Sequence, residues 1–537
     1  MFELKGPSIS NSNLWINDDV RPIESQRRTW GFFALHNYML LSSLSISSFF
    51  SGSALIPLGL TWWQSIICIV LGNLVSAAGV YINSIAGLDY HIGFPVLSRA
   101  AWGMWGSLFT IWNRIFLAIV WYSVQAFVGG QCFYLILLSW DLELEKHIPN
   151  TMPSDIGMTT AQFVAYILFM VFSLPFHYIQ PHRLQTFLNI TSIVIGAFFT
   201  VFLIWALATM GPHGFGGTIT DMTPLSATGG PQSVVWLVLY GISSTVGAIS
   251  AGILNGNDYT RLSNTRRGPW AVAFSLFFYT TLCSVAGILV VAATQERLGG
   301  PEWNPVMILQ RLVELNPTAG TRAAIFFAGL TLAVGQLGIN ISGNGLSGGI
   351  DLSAILPKYI DIRRGAYVTA LLSPVINPWR LVGTASIFLS VVAGYSVFLA
   401  PMVGIMVASY FVVCKRKLDV DSLFTGNSAS IYWYTCGVNW RALVAWLVGV
   451  VPAFPGFLAS ISPAIVVSDG AIELYFVNCL YGFFASCAAY VALHWLLPAA
   501  SIDAFTNDTR SAREVQEYYR YRCEDKRLFG MGNYESD

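Results

Sequence analysis

Charge is what this sequence has least of. Of its 537 residues only 10% are Asp, Glu, Lys or Arg, against roughly 25% in an ordinary soluble domain. The 28 basic and 28 acidic side chains cancel, so no bulk attraction draws the chain to nucleic acid. Catalytic signatures are missing too. There is no HExxH, no GxSxG, no P-loop and no carboxylate cluster within the apolar stretches, so no nucleophile–base pair or resident metal suggests an enzyme. The eight cysteines form no CxxC pair and lie mostly in apolar runs, where a thiol packs as a small hydrophobe. No TVGYG-like filter speaks for a channel. The first thirty residues lack the apolar core of a cleavable signal peptide, so the amino end is expected to stay cytosolic.

What is abundant is hydrophobic sequence, 55% of the chain. A helix needs about twenty apolar residues to cross a bilayer core. Such runs are predicted near 33–54, 63–86, 109–138, 160–178, 187–209, 233–254, 270–293, 322–345, 366–379, 384–412, 440–460 and 471–497. Twelve spans put both termini on one side. With a cytosolic start, 22 of the 28 Lys and Arg fall inside and 5 outside, while Arg114 sits at the start of the third span. That bias obeys the positive-inside rule. The expected organisation is a cytosolic segment over 1–32, a core over 33–412 with repeats near 33–209 and 233–412, two further spans over 413–498, and a charged cytosolic tail over 499–537.

Two spans are too polar to face lipid. The first carries SSLSISSFFSG and the sixth GISSTVGAISAG, with an Ile-Ser-Ser core five spans apart. Small hydroxyl residues can simply let helices pack closely. Their matched placement instead points to a pair of broken helices, the device by which inverted-repeat transporters expose backbone to a solute. The third span places Trp121 and Gln125 at i and i+4, an indole plate one turn from a carboxamide. That pairing suits a flat heterocycle with amide-like edges. The eighth span adds Asn340 and Asn344 at the same spacing. A lone intramembrane Asn is usually packing glue, but three amides and a Trp exceed that need.

These residues sit in longer stretches that resemble a known family. NDDVRPIESQRRTWGF, GLTWWQ, YHIGFPVLSRAAWGMWGS, VWYSVQAFVGGQC, ILNGNDYTRLSN, the segment from RAAIFFAGLTLAVGQLGINISGNGLSGG to PKYIDIRRGA, and GVNWRALVAWLVGVVPAFPG together resemble the nucleobase-cation-symport family. The match is to its fungal Fur-type branch of uracil, allantoin and uridine permeases. The resemblance implies an all-α polytopic membrane protein of about twelve transmembrane helices, a LeuT-like five-plus-five inverted repeat with two extra helices. Its implied work is import of a nucleobase-like or ureide solute by alternating access at the plasma membrane, without an organic cofactor or nucleic-acid partner. By similarity Trp121 stacks on the ring, Gln125 and Asn344 hydrogen-bond its edge, Asn340 lies one turn away, Ser47 faces the site and Tyr395 is a gating aromatic.

Departures from the family pattern shape the remaining expectations. Gly338 and Ile339 stand where sodium-coupled relatives carry hydroxyl residues, so protons rather than Na+ are the expected coupling ion. Ile249 stands where an aromatic would cover the second face of the ring. Thiamine and nicotinamide-riboside carriers share the PKYIDIRRGA and GVNWRA text, which keeps those solutes as the alternative, although they tend to replace the Trp121/Gln125 pair. A non-transporting receptor or a channel is the alternative from another class. Charged gate candidates lie at predicted cytosolic ends: Asp18, Asp19, Asp89, Asp258 and Asp351, with Arg27, Arg28, Arg99, Arg261, Lys358, Arg363 or Arg364 as partners. Asp19, Arg27 and Asp351 head that group. His91, His177 and His182 are read as structural. The oligomeric state is left open.

Overall fold

The computed structural model describes residues 15–16, 20–153, 156–179, 181–212, 214–215, 233–356, 358–462 and 464–522. Among them all regular structure is helical. Among the described residues nine helices are long and apolar enough to cross a membrane, and the bent pair Trp440–Val450 and Phe454–Ile461, kinked by 54°, makes ten if it counts as one span. The two remaining predicted spans are present in pieces. The first is Phe32–Ser43 followed by Ile46–Ser53. The ninth is Ile362–Leu372 continued by a 3-10 turn over Ser373–Ile376, where Pro374 removes a helical donor. Twelve crossings are therefore consistent with the helices observed, and each predicted run coincides with one.

Of the expected pair of breaks, one occurs as anticipated. Leu44 leaves the helical region (φ −88°, ψ 84°) and Ser45 is extended (φ −146°, ψ 161°). The Ser45 hydroxyl then caps the second half by accepting from the Ser48 amide at 3.2 Å. The sixth span corrects the expectation, because Val234–Leu254 runs unbroken through its Ser/Gly segment. There the Ser244 and Thr245 hydroxyls bond back to the carbonyls of Tyr240 and Gly241 at 2.9 and 2.8 Å, which leaves the helix intact. Ser243 reaches across to the Phe476 carbonyl at 2.6 Å. A side chain on Gly247 would overlap the backbone of Val392. Close packing explains these small residues, and the sixth span ends only at Asn255, followed by a short helix Gly256–Thr260.

The eighth span departs in another way. Ala319–Ile339 passes into a π-turn over Asn340–Gly345 and resumes as Leu346–Ile355. A π-turn frees backbone groups and re-aims side chains, and such turns gather at functional sites. The continuation also carries Asp351 into the membrane helix, whereas the sequence had suggested a position beyond its end.

The first part of the tail folds back onto the protein. Helices Ala500–Thr506 and Ala512–Arg522 lie against the segment after the tenth span. Lys417 donates to the carbonyls of Thr506 and Asp508 at 2.9 and 3.0 Å, and Tyr519 donates to Asp419. Asp89, at the end of Trp62–Tyr90, collects Tyr410, Arg416 and Gln516 at 2.6, 2.8 and 3.2 Å.

His91 closes that second span as its left-handed cap, φ 54°. Its Nδ1 lies 2.9 Å from the Arg261 carbonyl, an acceptor only, so Nδ1 carries the proton and the buried Nε2, which has no partner, is the unprotonated nitrogen. Burial first, and the Arg28 charge second, push the imidazolium down to about 4. The folded protein then binds fewer protons here than the unfolded chain. The stabilisation is complete above the unfolded value of about 6.5 and is lost as pH falls towards 4, at most about 3 kcal/mol. Thermal unfolding in detergent at pH 5 and pH 7.5 should show a smaller pH difference in His91→Asn, which tolerates the same backbone. An identical difference in variant and wild type would remove His91 from the account.

Candidate solute site and inner gate

A cavity of about 200 Å³ lies at the centre of the bundle, lined by Ser47, Trp121, Ile249 and Asn344 among others. Four elements deliver these groups: the half-helix after the break, the third span, the sixth span and the π-turn. Ile249 occupies the wall of the same cavity as Trp121, as the sequence placed it.

Gln125 and Asn340 do not line this cavity but stand behind it. Gln125 is buried and its Nε2 donates to the Ser47 hydroxyl, while its Oε1 has no partner. A buried amide oxygen left unbonded costs about 1–3 kcal/mol, so the site is built with an unmet demand for a donor. Asn340 donates to the Tyr122 carbonyl at 3.3 Å and accepts from Asn344 Nδ2 at 3.1 Å. Because the Tyr122 carbonyl can only accept, this series of bonds orients both amides and leaves the Asn344 oxygen outside it. Tyr395 lies beside the Trp121 indole, ring centres 6.0 Å apart.

The gate carboxylates find a partner the sequence reading did not choose. Asp351 and Asp258 were expected to pair with Arg27, Arg28, Arg99, Arg261, Lys358, Arg363 or Arg364. Both instead converge on Arg114, at 3.1 and 3.0 Å. Asp351 is wholly buried and Arg114 is 4% exposed. Arg114 further lies over the Phe94 ring at 4.7 Å, and the other oxygen of Asp258 accepts from the Phe94 amide at 2.8 Å. Arg99 turns away to the carbonyls of Trp15 and Leu423. A signal for Arg114 was available. It precedes Trp121 by seven residues and Ala118 by four, one face of one helix, and all three line the cavity. Asp18 and Asp19 lie outside the described residues, as does the side chain of His182. Arg27 lines a second cavity of about 510 Å³.

The two cavities share Asn255, Tyr259 and Ser347 as walls. Tyr259 donates to the Asn255 amide oxygen at 3.2 Å and packs on Tyr38 with ring centres 5.1 Å apart. Tyr38 in turn donates to the Ser342 carbonyl of the π-turn at 3.2 Å, joining the first span to the eighth. His177 packs against the same turn at Gly345, and its Nε2 lies 2.8 Å from the Tyr122 hydroxyl of the third span. Sequence reasoning passed over Tyr38, Tyr259 and Ser347, since a Tyr near a span end reads equally well as an interfacial anchor.

Both the sequence and the fold have counterparts among known proteins. The sequence matches the family described as permease for cytosine/purines, uracil, thiamine, allantoin over residues 22–482. The chain belongs to this permease family. It is 34% identical to the uracil permease of Saccharomyces cerevisiae over 92% of this chain and 78% of that protein. It is likewise 34% identical to the same yeast's uridine permease, over 95% and 79%, and 31% identical to its thiamine transporter, over 96% and 87%. The fold is that of Mhp1, a nucleobase-cation-symport-1 family transporter solved in a closed conformation with bromovinylhydantoin bound. The TM-score is 0.69 at 19% identity, covering 94% of this chain and all of that one. An inward-facing form of Mhp1 superposes equally well, with a TM-score of 0.69. The architecture is thus the LeuT-like one expected from the sequence, in a family of permeases rather than enzymes.

Proposed function

We propose that this permease imports a flat solute with amide or ureide edges, of the uracil, allantoin or uridine class, across the plasma membrane in symport with protons. Both termini then lie in the cytosol. The observation that carries the reading is the central cavity. Its wall carries the Trp121 indole and the Asn344 amide, which Asn340 orients, and behind it stands Gln125 with an unsatisfied buried oxygen. Such a site favours a ring that presents N–H donors along one edge, and rejects analogues lacking them by up to ~10⁴–10⁵. In this reading Ser47 holds the Gln125 amide, Asn340 sets the polarity of Asn344, and Tyr395 closes over the indole.

Proton coupling is supported by charge arithmetic. Arg114 offers one positive charge to two carboxylates, Asp258 and Asp351, so a fully ionised triad keeps one negative charge buried. A single proton neutralises it. Asp351 is the acceptor to expect, because its Oδ1 has no partner whereas both oxygens of Asp258 are occupied. Gly338, where a hydroxyl would help hold sodium, instead packs towards the Thr191 methyl. Asp19 and Arg27 complete the inner gate in this proposal.

The test is radiolabelled uptake of uracil, allantoin, uridine, thiamine and cytosine in a host stripped of its own carriers, with and without a protonophore and with sodium replaced by choline. Accumulation of a nucleobase-like or ureide solute that collapses with the protonophore and ignores sodium is the expected result. Uptake of thiamine alone would move the chain to the alternative solute class. No uptake by protein shown to be at the plasma membrane would refute transport of these solutes.

A further inference from the structure

Among the described residues, two buried hydroxyls on the wall of the central cavity make no hydrogen bond. One belongs to Ser43, the last residue of the first half-helix, and the other to Thr280 in the seventh span, Gly268–Leu298. They are 4% and 6% exposed. Their neighbours show what such groups ordinarily do. Ser42 donates to the Met39 carbonyl at 2.9 Å, and Thr294, in the same helix as Thr280, donates to the Val290 carbonyl at 2.8 Å. A buried hydroxyl that forgoes this local bond is a cost to the fold, which a ligand in the cavity can remove. The two hydroxyls lie near one level, because the seventh span runs beside the first. Tyr279 Oη is 3.2 Å from His36 Nε2, and Cys283 Sγ donates to the Ser45 carbonyl at 3.3 Å. Thr280 falls between Tyr279 and Cys283, and Ser43 falls between their partners. Ser47, beyond the break, adds a third group, since it accepts from Gln125 Nε2 and its own proton is unused.

Trp121 and Asn344 come from the third and eighth spans, which pack together, while these hydroxyls come from the first and seventh, another packed pair. A ring held against Trp121 and Asn344 therefore leaves the hydroxyl wall to something else. There is space for it. At ~30 Å³ per water, the cavity of about 200 Å³ has room for roughly six or seven waters, more than one pyrimidine ring displaces. We propose that Ser43, Thr280 and Ser47 form a subsite for a hydroxylated substituent on the ring, so that the solute is a nucleoside. Its base lies at Trp121 and Asn344, and the diol of its ribose lies at the hydroxyl wall. A diol suits this wall because each of its hydroxyls both donates and accepts, as each Ser or Thr hydroxyl does. A bare base offers nothing there and leaves Ser43 and Thr280 unpaired. The proposal rests on the reading of the central cavity as the solute site, and narrows the solute within it.

The test is the concentration dependence of radiolabelled uridine and uracil uptake in a host stripped of its own carriers, with 2′,3′-dideoxyuridine as competitor. The KM for uridine is expected to lie below that for uracil by about tenfold or more, and the dideoxy compound, which lacks the diol, should compete no better than uracil. Thr280→Val and Ser43→Ala should each lower the preference for uridine over uracil by about fivefold, while Thr280→Ser should keep it. Surface labelling checks that each variant reaches the plasma membrane. A merely structural role would change the KM for both solutes alike, or the amount of protein at the membrane, and leave the ratio where it was. An unchanged ratio in both variants, dideoxyuridine competing as well as uridine, or uptake of uracil without uridine overturns the subsite and leaves the transport of nucleobase-like solutes standing. Uptake of neither solute by protein at the plasma membrane overturns both.

Discussion

Asp351→Asn is expected to keep solute counterflow while losing accumulation driven by a pH gradient. The amide is nearly isosteric and remains a partner for Arg114, and with Asp258 still ionised the triad becomes neutral without a proton. The carrier is then locked in the charge state that a proton would otherwise supply. Exchange should survive, and uptake should cease to respond to protonophore. Arg114→Ala should behave in the opposite manner. It leaves two carboxylates buried and unpaired, a change that costs about 3–5 kcal/mol when one partner of a buried pair is removed. A fall in both folded yield and transport is therefore expected. Measuring counterflow and gradient-driven uptake in the same vesicles separates the two variants. Persistent protonophore-sensitive accumulation by Asp351→Asn would take the coupling role away from this carboxylate.

Removing the amides of the central site should have an effect of similar size on affinity. In Gln125→Ala the Ser47 hydroxyl, which lines the cavity, loses the donor that orients it towards the solute. In Asn344→Ala the cavity wall loses the amide that Asn340 and the Tyr122 backbone orient. Each lost bond to a buried partner is worth about 1–3 kcal/mol, so apparent affinity should fall by roughly 5- to 150-fold. Asn340→Ala should weaken binding less, since it acts only by freeing Asn344 to rotate. Concentration dependence of uptake reports these changes directly. Wild-type affinity in both Gln125→Ala and Asn344→Ala would place the solute elsewhere in the molecule.

The central site was partly legible because helices make it so. Trp121 with Gln125 and Asn340 with Asn344 stand at i and i+4, a spacing that brings side chains together within one element. The Asn340–Asn344 bond was thus foreseeable in outline. Its direction was not, because that depends on a carbonyl of the third span. The same limit explains the errors. The Ile-Ser-Ser repeat marked two spans as unusual, yet Ser45 caps a new half-helix in one while Ser244 and Thr245 bond back within the other. Local sequence holds both options, and the neighbours at Val392 and Phe476 decide between them. Arg114 was visible as a lone charge in an apolar run, but its carboxylate partners lie more than a hundred residues away.

Sequence alone determined that this chain is an all-helical protein crossing a membrane many times, which end of each apolar run carries positive charge, and which family text it shares. Those properties are sums over local hydrophobicity and charge, and the cost of burying an unpaired polar group in lipid leaves few other solutions. Tertiary structure decided where the first helix breaks and the eighth takes its π-turn, which carboxylates share Arg114, and that Tyr259, packed on Tyr38, stands between two cavities. These outcomes depend on contacts between distant segments, whose geometry exists only once the helices have packed.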